Sequence, residues 1–120
     1  MTILVIDDEK IIGETTTLLL NHLGYKTILT NNGLSGLNIF SEKKNEIELI
    51  ILDMIMPDVS GGETFDKLRE INPNIKVILS SGYSIEDGAT EIINRGCNGF
   101  IQKPYRMGEL STKIKEILEG

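Results

Sequence analysis

Three acids, a hydroxyl and an ammonium catch the eye because each closes a short apolar run. "ILVI" (3–6) runs into Asp7, Asp8 and Glu9, and "LIIL" (49–52) ends in Asp53. "KVILS" (76–80) leads to Ser80, Ser81 and Gly82, and "GFI" (99–101) leads through Gln102 to Lys103 and Pro104. Carboxylates packed together repel, and each then resists ionisation. A divalent cation relieves that repulsion, and an oxygen-only ligand set of carboxylates, a backbone carbonyl and waters describes a magnesium site. Magnesium keeps several waters and recruits phosphate. A lysine and a small hydroxyl are what such a site adds to hold phosphoryl oxygens. A carboxylate can itself be the nucleophile and carry an aspartyl-phosphate.

These groups are remote in the chain, so the chemistry depends on elements that bring them together. Five apolar runs are spaced along it: the four above and "KTIL" (26–29), which ends in Thr30 and Asn31 without an obvious chemical group. Most are continuous rather than alternating, as in strands covered on both faces of a parallel sheet. Helical patterns lie between them. Ile11, Leu18 and Leu19 are predicted to share the buried face of the first, closed by Gly24. Leu34, Leu37 and Phe40 make a second, weakened by Gly36 and Asn38. Phe65, Leu68 and Ile71 make a third that stops before Pro73. Ala89, Ile92 and Ile93 make a fourth with Gly96 as its stop, and Leu110, Ile114, Ile117 and Leu118 make a fifth. Five alternations of strand and helix imply right-handed crossovers and an α/β, doubly wound sheet. Such folds gather their working groups beyond the carboxyl ends of the strands. Asp7, Asp8, Asp53, Ser81 and Lys103 occupy those positions.

Composition agrees. The chain's 120 residues suit one domain, 1–120, with 40% hydrophobic and 25% charged residues. Eighteen acids against 12 bases give a net charge of −6, which argues against nucleic acid as a direct partner. Cys97 is the only cysteine and has no internal disulfide partner. No apolar run approaches the roughly 18 residues of a spanning helix, and the amino terminus lacks the pattern of a signal peptide. The expectation is a cytoplasmic domain that does not itself contact the membrane.

In order and spacing, "LVIDDE" (4–9), "LIILDMIMPDVSG" (49–61), "VILSSG" (77–82) and "KP" (103–104) resemble the response-regulator receiver domain of two-component signalling. The resemblance implies a flavodoxin-like strand order 2-1-3-4-5 with five helices. It implies that Asp53 accepts phosphate from a histidine kinase or histidine phosphotransfer protein. It further implies Asp8 as a direct ligand to Mg2+ (or Mn2+), Asp7 acting mainly through water, and the Ile55 carbonyl as a third protein ligand. Lys103 would pair with Asp53 and then with its phosphoryl group, ahead of a cis Pro104. Ser81 would be the switch hydroxyl, preferred over Ser80 for its place before Gly82. Phe100 would be the aromatic that turns inward as Ser81 moves. Ile55 and Tyr83 would overhang the phosphoryl group and hinder water. An output domain or partner would read the face made by the fourth helix, fifth strand and fifth helix.

Other readings compete. Asp7, Asp8 and Glu9 alone would suit a helix amino terminus, and Asp53 before "MP" would suit a turn. A receiver-like interaction module working without phosphorylation is the main alternative, opposed by the full set of acids, Ser81 and Lys103. An aspartate-nucleophile phosphatase would carry D-x-D on its first strand, which "IDDEK" lacks. A flavodoxin would need a phosphate loop where the acids stand. The expected activity is self-phosphorylation and self-dephosphorylation rather than turnover. The domain would be free-standing, or the receiver of a multidomain regulator or hybrid histidine kinase, whose receivers "ILSSGYS" resembles. His22 is read as a surface residue, Cys97 as a small buried one, and Met54 and Met56 as packing. "EKKNE" (42–46) is read as a solvated loop.

Overall fold

Ten elements alternate along the chain in a computed structural model that describes residues 2–56, 58–82 and 87–119. They are β1 (Thr2–Ile6), α1 (Lys10–His22), β2 (Lys26–Thr30), α2 (Gly33–Lys43) and β3 (Ile47–Asp53), then α3 (Gly61–Ile71), β4 (Lys76–Ser81), α4 (Asp87–Asn94), β5 (Gly99–Gln102) and α5 (Met107–Glu119). The strands form one parallel sheet in the order β2-β1-β3-β4-β5, as expected. Two apolar layers cover it. One packs Phe40, Phe65, Leu68, Ala89 and Ile92 of α2, α3 and α4 against one face; the other packs Leu20, Leu110 and Ile114 of α1 and α5 against the opposite face. The central strand β3 is covered on both sides, which is why its run is continuous.

Caps fix the helix starts. Asn32 accepts the Ser35 N–H at 2.8 Å at the head of α2, and Ser60 accepts the Glu63 N–H at 3.2 Å at the head of α3. The Asp58 carboxylate reaches back from the β3–α3 loop to the Gly33 and Leu34 N–H groups, each at 3.1 Å. The bond to Leu34 is the main reason its carboxyl is held below the usual range. Gly24 closes α1 with φ of 97° and Gly96 closes α4 with φ of 107°, a region open to glycine at little cost.

Two helices face the sheet differently from the sequence expectation. In α1 the buried residues are Gly13, Thr16 and Leu20, while Ile11 and Leu18 are 78% and 69% exposed. A Cβ on Gly13 would stand 2.8 Å from Leu29 Cδ1, so the helix lies close to β2 through its smallest residue. In α2, Leu34 is 54% exposed; Gly33, Gly36 and Phe40 are buried, and Leu37 packs against the core beside them as expected. Gly36, taken as a weakness, is where the helix meets Ile6: a Cβ there would lie 2.5 Å from Ile6 Cδ1. Of "EKKNE", residues 42 and 43 belong to α2, and all five are exposed. No helix among the described residues is long and apolar enough to cross a membrane.

Candidate functional site

Sheet register builds the site. Ile6 pairs with Leu52, so Asp7 emerges beside Asp53. Asp53 pairs with Ser80, and Ser81 pairs with Gln102, next to Lys103. Three loop-end hydrogen bonds hold these ends: Asp7 N–H to Thr30 O at 3.0 Å, Met54 N–H to Ser80 O at 2.9 Å and Lys103 N–H to Ser81 O at 2.7 Å.

The Lys103 ammonium is buried and faces three carboxylates. It lies 2.8 Å from Asp7 Oδ2, 3.1 Å from Glu9 Oε1 and 3.3 Å from Asp53 Oδ1. An ammonium has three N–H donors, so its capacity is fully matched by these acids. Burial pulls Lys103 down, but its hydrogen bond to Asp7, the charges of Asp53 and Asp7, and its bond to Glu9 outweigh this and hold it above the usual lysine range. Asp7 Oδ1 also accepts the Glu9 N–H at 2.9 Å, and Asp53 Oδ1 accepts the Ile55 N–H at 3.4 Å. Asp53 is 4% exposed. Burial pushes its carboxyl up to about 7, aided by its hydrogen bond with Asp8 and the charge of Asp7; the Lys103 charge and the Ile55 N–H oppose this without overcoming it.

Carboxylate oxygens of Asp7, Asp8 and Asp53 lie within 4.8 Å of one another, a spacing that one cation can bridge. The donor set is hard oxygen, with no histidine or thiol, which suits Mg2+ rather than a softer metal. Burial and the neighbouring acids favour the protonated form of Asp53, and a divalent ion bound between the carboxylates would oppose that.

Asp8, Glu9, Asp53, Ile55, Ser81 and Gly82 line one cavity of about 450 Å³ over the Asp53 carboxylate. Ile55 is 56% exposed on its rim. Alternation along β4 separates the two serines. Val77 and Leu79 face the α3–α4 layer, and Ser81 continues that side; Ile78 faces the α1–α5 layer, and Ser80 continues that one. Ser80 Oγ is buried and has no hydrogen-bond partner among the described residues. Phe100 pairs with Leu79 in the register and packs on the same face, one side-chain step below Ser81. It is half-buried and lines a groove with Gln102, Glu109, Thr112 and Lys113.

The expected residues Asp7, Asp8, Asp53 and Lys103 are thus brought together, with Ser81 and Ile55 on the cavity wall. The Lys103–Pro104 peptide bond is cis, as expected. Tyr83 and Pro57 lie outside the described residues. His22 is exposed, Cys97 is buried with its thiol donating to Val77 O at 3.3 Å, and Met54 and Met56 pack against the core. Sequence reasoning placed Glu9 at a strand end but gave it no role at Lys103. The signal available was only its place directly after two acids.

A family profile described as "Response regulator receiver domain" matches residues 3–115. Across 118 residues the chain is 30% identical to the sensor kinase CckA of Brucella abortus, covering 98% of this chain and 12% of that protein. The chain spans between 12% and 51% of the length of the curated relatives it matches. Among solved structures, a response regulator receiver domain protein from Clostridium thermocellum superposes with a TM-score of 0.93 at 32% identity, covering 98% of this chain and 94% of that one. The response regulator TrrA from Thermotoga maritima, solved in complex with Mg(2+)-BeF, superposes with a TM-score of 0.83 at 30% identity and 97% coverage of both chains.

Proposed function

The chain belongs to the response regulator receiver family, the phosphorylation switches of two-component systems, and we propose that Asp53 is its phosphoryl acceptor. The observation that carries this reading is the Lys103 ammonium, set 3.3 Å from Asp53 inside a cluster of three further acids.

Asp7, Asp8, Asp53 and the Ile55 carbonyl would hold a divalent cation, Mg2+ or Mn2+, which when bound supplies positive charge to the phosphoryl oxygens. The Asp53 carboxylate attacks phosphorus in line with the leaving nitrogen of a phosphohistidine. The new O–P bond forms as the P–N bond breaks, and the imidazole leaves with its electron pair. Lys103 gives up Asp7 and Glu9 to meet a phosphoryl oxygen, so its charge follows the charge that the reaction moves. The phosphoryl group carries roughly 1.5 to 2 negative charges in place of the single charge of Asp53, and brings strong acceptors to a buried point. Ser81 donates to one of those oxygens. Because Phe100 shares the sheet face just below Ser81, the space that Ser81 vacates is open to its ring. Turning Phe100 inward repacks the surface of α4, β5 and α5, where an output domain or partner protein reads the state. The donor is a histidine kinase or histidine phosphotransfer protein in the cytoplasm.

Intact-mass analysis after incubation with phosphoramidate and Mg2+ tests the assignment. The wild type is expected to gain one phosphoryl group and Asp53→Asn none. A phosphate adduct that persists in the variant would place the acceptor elsewhere.

A further inference from the structure

Lys103 lies on the segment between β5 and α5, while the acids that it meets at Asp7 and Glu9 lie between β1 and α1. In the sheet order, β1 and β5 are separated by β3 and β4, so no backbone ladder joins these two segments. Side chains must set the distance between them. The Lys103 ion pairs do so in the resting protein. They cannot do so during phosphoryl transfer, because Lys103 then exchanges partners.

A second cross-link lies outside the charges. The ring of Tyr105, two residues after Lys103, packs against the core layer that holds Leu20, Leu110 and Ile114. Its hydroxyl is hydrogen-bonded to Thr16 Oγ1 on α1. The direction of that bond is fixed. Thr16 is buried, and its hydroxyl proton already goes to the Ile12 carbonyl at 2.8 Å. A threonine has one proton to give, so Tyr105 is the donor and Thr16 the acceptor. Burial pushes the Tyr105 phenol up, so the proton stays in place through the neutral range. This hydrogen bond is neutral and joins the loop that carries the ammonium to the helix that follows the acids.

We propose that Tyr105, through Thr16, is a positioning residue for Lys103: it pins the β5–α5 loop to α1, so that Lys103 changes partners by swinging its side chain while its backbone stays fixed. The inference rests on reading Asp53 as acceptor and Lys103 as its partner. Its physical basis is that a phosphoryl transfer loses rate steeply when a charged group is misplaced by even part of an ångström. The Lys103 N–H bond to Ser81 O ties the loop to β4; toward α1 and the acids its polar ties are the exchanging ion pairs and the Tyr105–Thr16 bond.

Tyr105→Phe removes the hydroxyl and keeps the ring, Thr16→Val removes the acceptor at equal size, and Thr16→Ser keeps it. Three readouts apply: the rate of adduct formation with phosphoramidate and Mg2+, the Lys103 side-chain ammonium signal by NMR in metal-free protein, and thermal unfolding. Tyr105→Phe and Thr16→Val are each expected to slow the adduct by on the order of tenfold. The double variant should be no slower than either alone, Thr16→Ser should react like the wild type, and Tyr105→Phe should shift the Lys103 signal. A Tyr105→Phe protein that melts lower but keeps both the wild-type rate and the wild-type Lys103 signal would reduce the bond to a fold contact and overturn the proposal. If the wild type itself takes no phosphate, the acceptor reading fails separately. The NMR signal then decides: a shifted Lys103 resonance upholds the positioning role, and an unshifted one ends it.

Discussion

Two neighbouring glycines at the head of α3 should answer the same substitution in opposite ways. An added Cβ at Gly61 would stand 2.6 Å from the Met54 carbonyl oxygen and 2.8 Å from Met54 Cα. Non-bonded carbons rest about 3.5 Å apart, so one side must retreat by roughly 0.7 Å. Neither side is a flexible side chain. The Gly61 N–H is bound to that same Met54 oxygen at 3.0 Å, and the Met54 N–H is bound to Ser80 at 2.9 Å. At Gly62 the nearest atom is Arg95 Nη2 at 3.0 Å, followed by Ile92 Cδ1 at 3.7 Å. The Arg95 tip is the end of a flexible side chain in exposed ion pairs with Asp66 and Glu91, which it can keep while yielding a few tenths of an ångström. Overpacking of the first kind costs about 1–3 kcal/mol, and alanine regains at most about 1 kcal/mol of helix propensity. Gly61→Ala should therefore lose up to about 2 kcal/mol net once the full gain in propensity is subtracted, and Gly62→Ala should be neutral or gain a few tenths. For a domain of this size, each kcal/mol moves the melting temperature by roughly 3–6 °C.

The same displacement has a chemical consequence, because Met54 lies between Asp53 and Ile55. Moving its peptide shifts the proposed nucleophile and the proposed carbonyl ligand together. Gly61→Ala should slow phosphoramidate-driven phosphorylation by on the order of tenfold, with Gly62→Ala unchanged. Urea titration and intact-mass kinetics on the two variants give both numbers. Equal unfolding midpoints and equal rates would refute the claim that contact with the Met54 backbone sets the position of the site.

Without metal, Asp53 keeps its proton to about 7, against an ordinary value of 3.8. The folded state then binds more protons than the unfolded state across that window, so stability falls as pH rises from about 4 to about 7, by on the order of a few kcal/mol. Asp53→Asn should flatten this slope in urea titrations, and saturating Mg2+ should oppose it; a metal-free stability that climbs through the window would contradict the burial argument. Ser80→Ala deletes a buried hydroxyl with no partner among the described residues and should leave stability equal or up to about 1 kcal/mol higher, with phosphorylation intact. Ser81→Ala should still accept phosphate but leave the Phe100 ring signals in NMR unmoved by beryllofluoride with Mg2+; the reverse pattern would exchange the two serines. Ile55→Asn puts a polar group on the cavity rim and should shorten the phosphoryl lifetime by on the order of tenfold, below the ~10²–10⁴ of a well-placed general base. An unchanged decay in time-resolved mass spectra would show that Ile55 does not shield the phosphoryl group.

The strands and the charged residues were legible in the sequence for one reason: burial in a parallel sheet demands unbroken apolar runs, and a carboxylate at the end of such a run is exceptional. Register then follows from strand order, which is why Asp7, Asp53, Ser81 and Lys103 converge as expected. Helix faces were harder. Counting large apolar residues selected Ile11 and Leu18 for the inner face of α1, but close approach to a sheet favours small residues there. Gly13 and Thr16 do that packing, leaving Ile11 and Leu18 outside. The same rule makes Gly36 a contact rather than a helix breaker. Contacts between distant polar side chains were not legible at all. Nothing in the type or spacing of Tyr105 and Thr16, or of Lys103 and Glu9, announces a pair. Those pairings depend on which loops the sheet order brings side by side.

Charge arithmetic explains why the proposed reaction must reach beyond its own pocket. Four carboxylates against one ammonium leave three formal negative charges in one site. Lys103 alone cannot settle this: burial first, then the hydrogen bond with Asp8 and the charge of Asp7, push Asp53 up in spite of it. A divalent cation would bring the balance to about one negative charge. Phosphorylation then replaces the single charge of Asp53 by roughly 1.5 to 2, so the site becomes more negative again at the moment when its ammonium has been drawn to the new group. A further means of relief on the cavity wall is the dipole of a hydroxyl. Ser81 is that hydroxyl, and it sits on the sheet face shared with Phe100. A site that was electrostatically complete at rest would have no reason to pull on it. In the proposed mechanism, the excess of acid over base at the strand ends is what couples a local change of charge to the packing of α4, β5 and α5.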